Sequence, residues 1–359
     1  EIAMHRATHA RRAGPADPAD PIDWPAVAVV LPVLDEARFV GDRLRDFART
    51  DYPADRLELW VVDGGSRDGT TERVEAAAAA DPRIRLLRLE RSRSKSEQLR
   101  LALEKVRAPV AVVSDADVAL APDAVRELAR GLAADPSTAI LGAHVTPATP
   151  LLEERLHWWW LDRLWWLEGE LLGAAGVAAP CYALRPEAVV EPLPHDVTAD
   201  DVHLGLLAQA RGWRVRRSRT ARARELRVPR TAAELLRYRR RRGGGFVHEV
   251  RAFLGRRGAA PRFRALVALR YAQLRLAPLL ALTLVAAAPW TGASGVALLA
   301  GLGLASAALA LGAARGADAF AADRRPAWRL PAAALRLAAA NAFALIVPAH
   351  GRPASRGRP

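Results

Sequence analysis

The chain has 359 residues, of which 51% are hydrophobic and 26% charged, and its formal net charge is +14. This length suffices for one large domain with an appendage and for a sizeable buried core. The single cysteine, Cys181, excludes an intrachain disulfide and fits a reducing compartment. The positive charge leaves two kinds of partner open, nucleic acid and anionic membrane lipid.

The N-terminal 250 residues predict a tail followed by an α/β domain. Residues 1–24 are polar, mixed in charge and proline-rich, which predicts a disordered tail rather than a signal peptide. In residues 25–250, short apolar runs first alternate with helical patterns, which predicts a mainly parallel sheet with helices on both faces. The expected strands are Val27–Leu31, Leu57–Val62, Ile84–Arg88 and Val110–Ser114, and the expected helices are Arg38–Arg49, Asp68–Ala79 and Ser96–Val106.

Carboxylates follow the first two predicted strands. Asp35 and Glu36 enter the loop after the first strand, and Asp63 ends the second. The glycines 64–65 permit a tight turn, and Asp68 is placed to cap the next helix. Asp63 could accept hydrogen bonds from a nucleobase or ribose, or it could only tie down the loop. The G-x-G-x-x-G spacing is absent, so a dinucleotide is not favoured.

The fourth predicted strand runs directly into Asp115 and Asp117. Open α/β sheets place their ligands at such carboxyl ends. Two hard oxygen ligands there suit a divalent cation that keeps waters and bridges diphosphate oxygens. The alternative is an acidic turn that caps a helix.

These three segments, residues 27–36, 61–70 and 114–117, resemble family 2 glycosyltransferases of the GT-A fold. The resemblance extends over about residues 27–250 and implies a nucleotide-sugar donor, with a UDP-sugar favoured, together with Mg²⁺ or Mn²⁺. It also implies a donor site formed by Pro32, Asp35, Glu36, Asp63 and Asp115, with the metal held by Asp117 and Asp115. Lys95 lies where the family carries loop residues near the donor, although a solvated basic turn is the simpler interpretation.

A second acidic pair, Asp200 and Asp201, resembles the family's motif at the start of a helix. Inversion at the anomeric carbon needs a carboxylate that takes the proton of the acceptor hydroxyl. The resemblance implies that Asp201 is this base, with Asp200 beside the acceptor and diphosphate. The alternative is a pair of acids that only stabilise a helix N-terminus.

An arginine-rich segment follows, in which Arg237 and Arg240 match the first part of the family's Q/R-x-x-R-W motif. Arg241 stands where tryptophan is expected, which argues against processivity. The segment is similar to that of the shorter exopolysaccharide transferases of the succinoglycan type. Its guanidinium groups could hold a diphosphate or a lipid phosphate, or they could face anionic lipid. Five tryptophans within residues 157–166 predict an interfacial aromatic segment, with sugar or isoprenoid binding as the alternative.

Residues 251–359 predict a C-terminal membrane region. Residues 276–314 form a run of thirty-nine without a charge, broken by a turn near Pro289. Two transmembrane helices are expected, at about 268–289 and 293–314. A third segment, 330–349, contains Arg336 and could span or lie in the interface. Residues 151–175 and 228–250 are expected to be interfacial.

The arginines that flank the hairpin predict a cytoplasmic N-terminal domain at the inner (plasma) membrane. The sequence thus indicates a membrane-anchored inverting transferase that uses a lipid-linked or growing glycan acceptor. Two alternatives remain: a catalytically idle membrane scaffold and a basic nucleic-acid binder. Four intact acids (Asp63, Asp115, Asp117 and Asp201) argue against the scaffold, and a nucleic-acid binder would not need the uncharged run. An Ala-rich soluble bundle is the alternative for the membrane region itself.

Overall fold

The computed structural model describes residues 24–92, 94–174, 176, 180–189, 191, 193–195, 197–256, 258–287 and 336. Its strands are β1 (Val27–Val33), β2 (Leu57–Asp63), β3 (Ile84–Arg88), β4 (Val110–Ser114), β5 (Val118–Leu120), β6 (Thr138–Pro147), β7 (Cys181–Leu184) and β8 (Arg214–Glu225). Its helices are α1 (Ala37–Ala48), α2 (Thr70–Ala80), α3 (Lys95–Lys105), α4 (Ala124–Ala133), α5 (Leu152–Leu172), α6 (Asp200–Ala210), α7 (Ala232–Ala252) and α8 (Pro261–Ala287).

One mixed sheet, in the order β3-β2-β1-β4-β7-β6-β8-β5, organises these elements. The first half, β3-β2-β1-β4, is parallel throughout. All seven residues of β1 are buried, as expected for a strand covered on both faces. The predicted strands and helices of this half are confirmed to within two residues at their ends.

The second half of the sheet departs from the expected parallel pattern. β7 pairs antiparallel with both β4 and β6, so it separates the parallel half from the remaining strands. β7 follows the long helix α5 in the chain. Its pairing with β4 therefore depends on tertiary packing, which the alternation of strands and helices in the sequence does not specify. The insertion brings Pro180 next to the end of β4, where its carbonyl accepts the Asp115 amide (2.9 Å).

Helices cover both faces of the sheet. One core cluster joins it to α1, α2 and α4, with Leu44, Val74 and Leu128 among its members. The other cluster joins it to α3, α6, α7 and α8. Trp158 and Trp165 of α5 are 3% and 4% exposed, so these two tryptophans belong to the core and not to an interface.

Of the predicted transmembrane helices, only the first overlaps a helix that the structure describes, α8. This helix begins at Pro261, before the first predicted membrane helix, and no helix in the described part of the chain is both long and apolar enough to cross a bilayer. The first transmembrane helix is therefore not confirmed. The segments 293–314 and 330–349, apart from Arg336, lie outside the described residues, as do residues 1–23.

Candidate active site

The loop after β2 is organised by Asp63, which is 1% exposed. Its Oδ1 accepts the amides of Gly65 (3.1 Å) and Ser66 (2.9 Å) and the Ser66 hydroxyl (2.6 Å), and its Oδ2 accepts the Thr71 hydroxyl. Gly65 has φ of 95°, and a Cβ there would lie 2.5 Å from the Glu90 carbonyl oxygen. Asp63 thus holds the loop in place. This is the structural one of the two roles predicted for it, the other being a hydrogen-bond acceptor for a nucleobase or ribose.

The loop after β1 is joined to the loop after β2. Asp35, the one non-glycine residue with positive φ among the described residues, accepts the Arg67 amide at Oδ1 (2.8 Å). Asp68 accepts the Ala37 amide (2.9 Å) and the Thr70 amide (3.1 Å), so it caps the starts of both α1 and α2. The two loops therefore form one rigid rim at the carboxyl edge of the parallel strands. Pro32 lies inside β1, buried beneath this rim.

Lys95 connects the strand-end acids to the acidic pair of α6. Its Nζ lies 2.6 Å from Asp115 Oδ1 and 3.1 Å from Asp200 Oδ2. Burial opposes the charged ammonium, but the two carboxylates outweigh it and raise the pKa of Lys95. The interpretation of Lys95 as a solvated turn residue is therefore wrong. Its side chain is 25% exposed and bridges residues that are 85 positions apart.

The surroundings of Asp201 raise the pKa of its carboxyl. Burial, and next the charge of Asp200, raises the pKa of Asp201 to about 7. Lys95 and Arg242 act in the opposite direction, and the amide of Val202 donates to Asp201 Oδ1 (2.9 Å). A carboxyl that titrates near neutrality can take and return a proton at physiological pH.

The arginine-rich segment forms the first half of α7, and neither Arg237 nor Arg240 is among the buried residues of this helix. Arg237 is exposed and Arg240 is half-buried. Arg239, 6% exposed, is paired with Glu154 of α5. Arg242 is paired with Glu225 at the end of β8 and contributes to the electrostatic field at Asp201. The inward arginines are thus Arg239 and Arg242, which have the same three-residue spacing two positions later.

Glu249 fixes α7 against the loop that carries the acidic pair. This carboxylate is 2% exposed, and its Oε1 accepts the amide and hydroxyl of Thr198 (2.9 Å each). Its Oε2 lies 2.9 Å from His203 Nδ1 in α6. Sequence reasoning missed Glu249, and an isolated glutamate in a helical pattern gives no signal for such a role.

Arg227 is a further residue that sequence reasoning missed. It lies between β8 and α7, where its Nη2 contacts Glu36 Oε2 and its Nε is 3.4 Å from Asp117 Oδ2. The amide of Leu226 donates to the Asp117 carbonyl (2.8 Å), which fixes the start of this connection. Five carboxylates (Glu36, Asp115, Asp117, Asp200 and Asp201) therefore face a cluster of three cations (Lys95, Arg227 and Arg242).

The donor set at this edge fits a divalent cation. Asp115 and Asp117 supply hard oxygens, the ligand type that Mg²⁺ prefers, and their side chains are 24% and 15% exposed. Among the described residues there is no group of three or more His, Cys, Asp or Glu that could hold a metal ion. The two carboxylates would be the protein's share, completed by phosphate oxygens and water.

Comparison with known proteins shows which family part of the chain resembles. Residues 28–183 match the family model "Glycosyl transferase family 2". An N-acetylglucosaminyltransferase from Mesorhizobium japonicum is 35% identical over 109 residues, which are 30% of this chain and 25% of that protein. A beta-monoglucosyldiacylglycerol synthase from Synechocystis is 27% identical over 109 residues, 30% of this chain and 23% of that protein. The matches thus span about a quarter of these relatives.

A solved structure shows the same fold over most of the chain. The mannosyltransferase PcManGT from Pyrobaculum calidifontis, in complex with GDP-Man and Mn²⁺, superposes with a TM-score of 0.63 and 24% identity. The superposition covers 91% of this chain and 88% of that one. The expected α/β GT-A-like domain is thereby confirmed.

Proposed function

Because residues 28–183 match the glycosyltransferase family 2 model, we propose that the chain is a metal-dependent, inverting glycosyltransferase that uses a nucleotide-sugar donor. The observation that supports this most directly is the bridge made by Lys95. It joins Asp115, at the proposed donor and metal site, to Asp200, beside the proposed base. This bridge supports a single site in which the residues proposed for leaving-group departure lie near those proposed for acceptor activation.

In the proposed reaction, Asp201 accepts the proton of the acceptor hydroxyl as that oxygen attacks the anomeric carbon. The acceptor oxygen forms the new glycosidic bond, and the bond to the nucleoside diphosphate breaks on the opposite face of the sugar. A pKa near 7 leaves a large fraction of Asp201 ionised at neutral pH. The ammonium of Lys95 neutralises part of the charge of Asp200, which weakens the repulsion between Asp200 and the ionised Asp201.

Departure of the nucleoside diphosphate requires positive charge at the rim of the sheet. A divalent cation on Asp115 and Asp117 would neutralise the leaving phosphates when it is bound. Arg242 lies close enough to Asp201 to influence its titration, which supports a role for this arginine beside the diphosphate or acceptor. Arg237, being exposed, and Arg240, half-buried, remain proposals for the same role. Asp63 and Asp35 support the donor side by holding its two loops.

We also propose that the enzyme is anchored in the plasma membrane with its catalytic domain in the cytoplasm. All the large hydrophobic side chains that are exposed among the described residues lie on α5, α7 or α8: Trp160, Leu167, Leu171, Leu172, Leu236, Leu269 and Leu276. α8 has four arginines and no acid, and its last twelve residues, from Leu276 onward, belong to the uncharged run. Such a combination suits anionic lipid. Retention of the full chain on membranes after an alkaline carbonate wash tests this part, and release contradicts it.

A membrane-associated acceptor, either lipid-linked or a growing glycan, follows from that location. The similarity to a protein named as a diacylglycerol glycolipid synthase supports a lipid acceptor class. The family resemblance favours a UDP-sugar and the similarity to an N-acetylglucosaminyltransferase supports transfer of N-acetylglucosamine, whereas the mannosyltransferase structure contains GDP-Man. The donor panel below therefore includes both bases.

The decisive experiment measures release of nucleoside diphosphate by the purified full chain in detergent. UDP-, GDP- and dTDP-sugars are supplied with Mn²⁺ or with EDTA, and membrane lipid extract provides acceptors. Native protein is expected to turn over one donor in a metal-dependent manner, and Asp201→Asn to lose roughly 10²- to 10⁴-fold in kcat. Glu127→Gln, on the distant helix α4, is the matched control and should keep native activity. Equal turnover by Asp201→Asn would remove the base assignment.

The alternative is a catalytically idle scaffold of the same fold. In that case no donor would bind in the presence of metal, and the carboxylates at the strand ends would serve only to hold the loops. Isothermal titration with each donor and Mn²⁺ distinguishes the two functions without requiring the acceptor.

A further inference from the structure

Two cations in the candidate site each join two carboxylates, but they are held very differently. Lys95 is 25% exposed and lies within 3.1 Å of both its partners. Arg227 is 44% exposed, and its Nε is 3.4 Å from Asp117. Its other contact is with Glu36, which is 3% exposed, and its guanidinium also lies 5.1 Å from the ring centroid of Phe39.

We propose that Arg227 neutralises Asp117 until metal and donor bind, and that Asp117 then exchanges this arginine for the divalent cation. This inference rests on the proposed function, because it assigns the competitor of the proposed metal. The contact that the exchange breaks is the one between Arg227 Nε and Asp117 Oδ2 (3.4 Å).

Charge favours an exchange over joint occupation. A guanidinium and a divalent cation on one carboxylate would repel each other at a few ångströms, where the site is partly shielded from water. Without metal, Arg227 compensates the charges of Glu36 and Asp117, of which the first is nearly fully buried. Loss of that arginine would remove the cation that joins Glu36 to Asp117, and a divalent cation would then balance part of this negative charge.

The structure also supplies a place for Arg227 after release. Glu36 and the face of Phe39 both hold the guanidinium independently of Asp117. The backbone at the start of the connection is fixed by the hydrogen bond from the Leu226 amide to the Asp117 carbonyl. A rotation of the half-exposed side chain is therefore sufficient, and the strands need not move.

Competition lowers the apparent metal affinity of the native protein, since metal binds only the fraction of molecules in which Asp117 is free. Replacing Arg227 by glutamine should tighten Mn²⁺ binding by roughly threefold to tenfold, a factor typical of a partly exposed ion pair. Arg227→Lys keeps the charge but cannot bridge two carboxylates with a planar fork, so its affinity should fall between the two.

The test measures Mn²⁺ binding by the loss of the free-ion electron paramagnetic resonance signal. Full-length protein in detergent is titrated with Mn²⁺ alone and with Mn²⁺ plus inorganic pyrophosphate, which represents the part shared by all nucleotide-sugar donors. The variants are Arg227→Gln, Arg227→Lys and Asp117→Asn. Arg230→Gln is the matched control, since this exposed arginine lies on the same connection and its removal changes net charge equally.

The expected order of affinity is Arg227→Gln above Arg227→Lys above native, with Arg230→Gln equal to native and Asp117→Asn without the site. Equal or weaker binding by Arg227→Gln, with binding still lost in Asp117→Asn, would overturn the exchange and leave the metal site intact. An equal gain in Arg230→Gln would show that only net charge matters, which also overturns it. No Asp117-dependent binding in any protein would overturn both the exchange and the metal requirement of the proposed function.

Discussion

The parallel half of the sheet contributes mainly negative charge to the candidate site, whereas the helices α5, α7 and α8 contribute positive charge and exposed apolar surface. The parallel half supplies carboxylates at the ends of buried strands, on loops fixed by hydrogen bonds to Asp63 and Asp68. The helices supply arginines and every exposed large hydrophobic side chain of the described residues. Acids on a rigid sheet edge are thus matched by basic groups from parts of the chain far away in sequence.

The largest test of this comparison removes one side of a buried ion pair in the helical region. Glu154 of α5 is fully buried, pairs with Arg239 of α7 and accepts the Trp158 indole N–H (2.9 Å). Glu154→Leu should lower the free energy of unfolding by about 3–5 kcal/mol, because Arg239 is left buried without a counter-charge. Urea unfolding of the detergent-solubilised protein measures the change.

Two controls interpret that loss. Glu154→Leu combined with Arg239→Met should recover much of the stability, since both charges are then absent. Glu58→Gln breaks an exposed pair with Arg85 in the parallel half and should cost less than about 1 kcal/mol. A Glu154→Leu variant as stable as Glu58→Gln would show that the pair does not join α5 to α7.

The second test concerns the Lys95 bridge between the parallel half and α6. Asp201 must be ionised to act as a base, so kcat/KM should fall as the pH drops through its pKa of about 7. The charge of Lys95 lowers that pKa, and Lys95→Met should therefore move the acid limb to higher pH by roughly half a unit to one unit. The pH profile of kcat/KM provides the measurement.

Lys105 is a matched control for Lys95, because it ends the same helix α3 and is exposed. Lys105→Met should leave the pH profile unchanged. An acid limb that does not move in Lys95→Met would mean that this ammonium does not act on Asp201.

The smallest expected effect compares two acids, Asp63 in the parallel half and Asp201 on α6. The pKa of Asp201 is raised in the folded protein from 3.8 to about 7, so ionising it costs stability. That cost is absent below pH 4, grows between pH 4 and 7, and is complete above pH 7. Asp201→Asn should therefore raise the Tm by a few degrees at pH 8, with the gain vanishing towards pH 4.

Asp63→Asn should instead lower the Tm, because the two oxygens of its carboxylate accept hydrogen bonds from three different residues of its loop. Asparagine keeps one acceptor oxygen, but its amide nitrogen cannot accept the hydrogen bonds made to the other oxygen. Thermal unfolding at pH 8 and pH 4 tests both variants. A lower Tm for Asp201→Asn at pH 8 would contradict the assignment of Asp201 as an acid destabilised by its surroundings.

Much of the parallel half could be predicted from local sequence. An apolar run that ends in a carboxylate predicts a buried strand with a polar end. The strands could therefore be predicted, together with the acids that follow them: Asp35, Asp63, Asp115 and Asp117. The tryptophan pairs of α5 illustrate the limit. A seven-residue spacing shows that Trp158 and Trp165 share a face but not whether that face meets lipid or the core.

The inward face of α7 could not be predicted either, because five of the six residues 237–242 are arginines and such a run gives no periodic signal. Only packing against Glu154 and Glu225 selects Arg239 and Arg242 as the inward pair. The same holds for Arg227, which meets Glu36 across 191 positions of sequence. The sequence alone established the strands, their terminal acids and the family resemblance, since each depends on neighbouring residues. Which cation meets which acid depends on contacts between distant segments, and those exist only after the chain has folded.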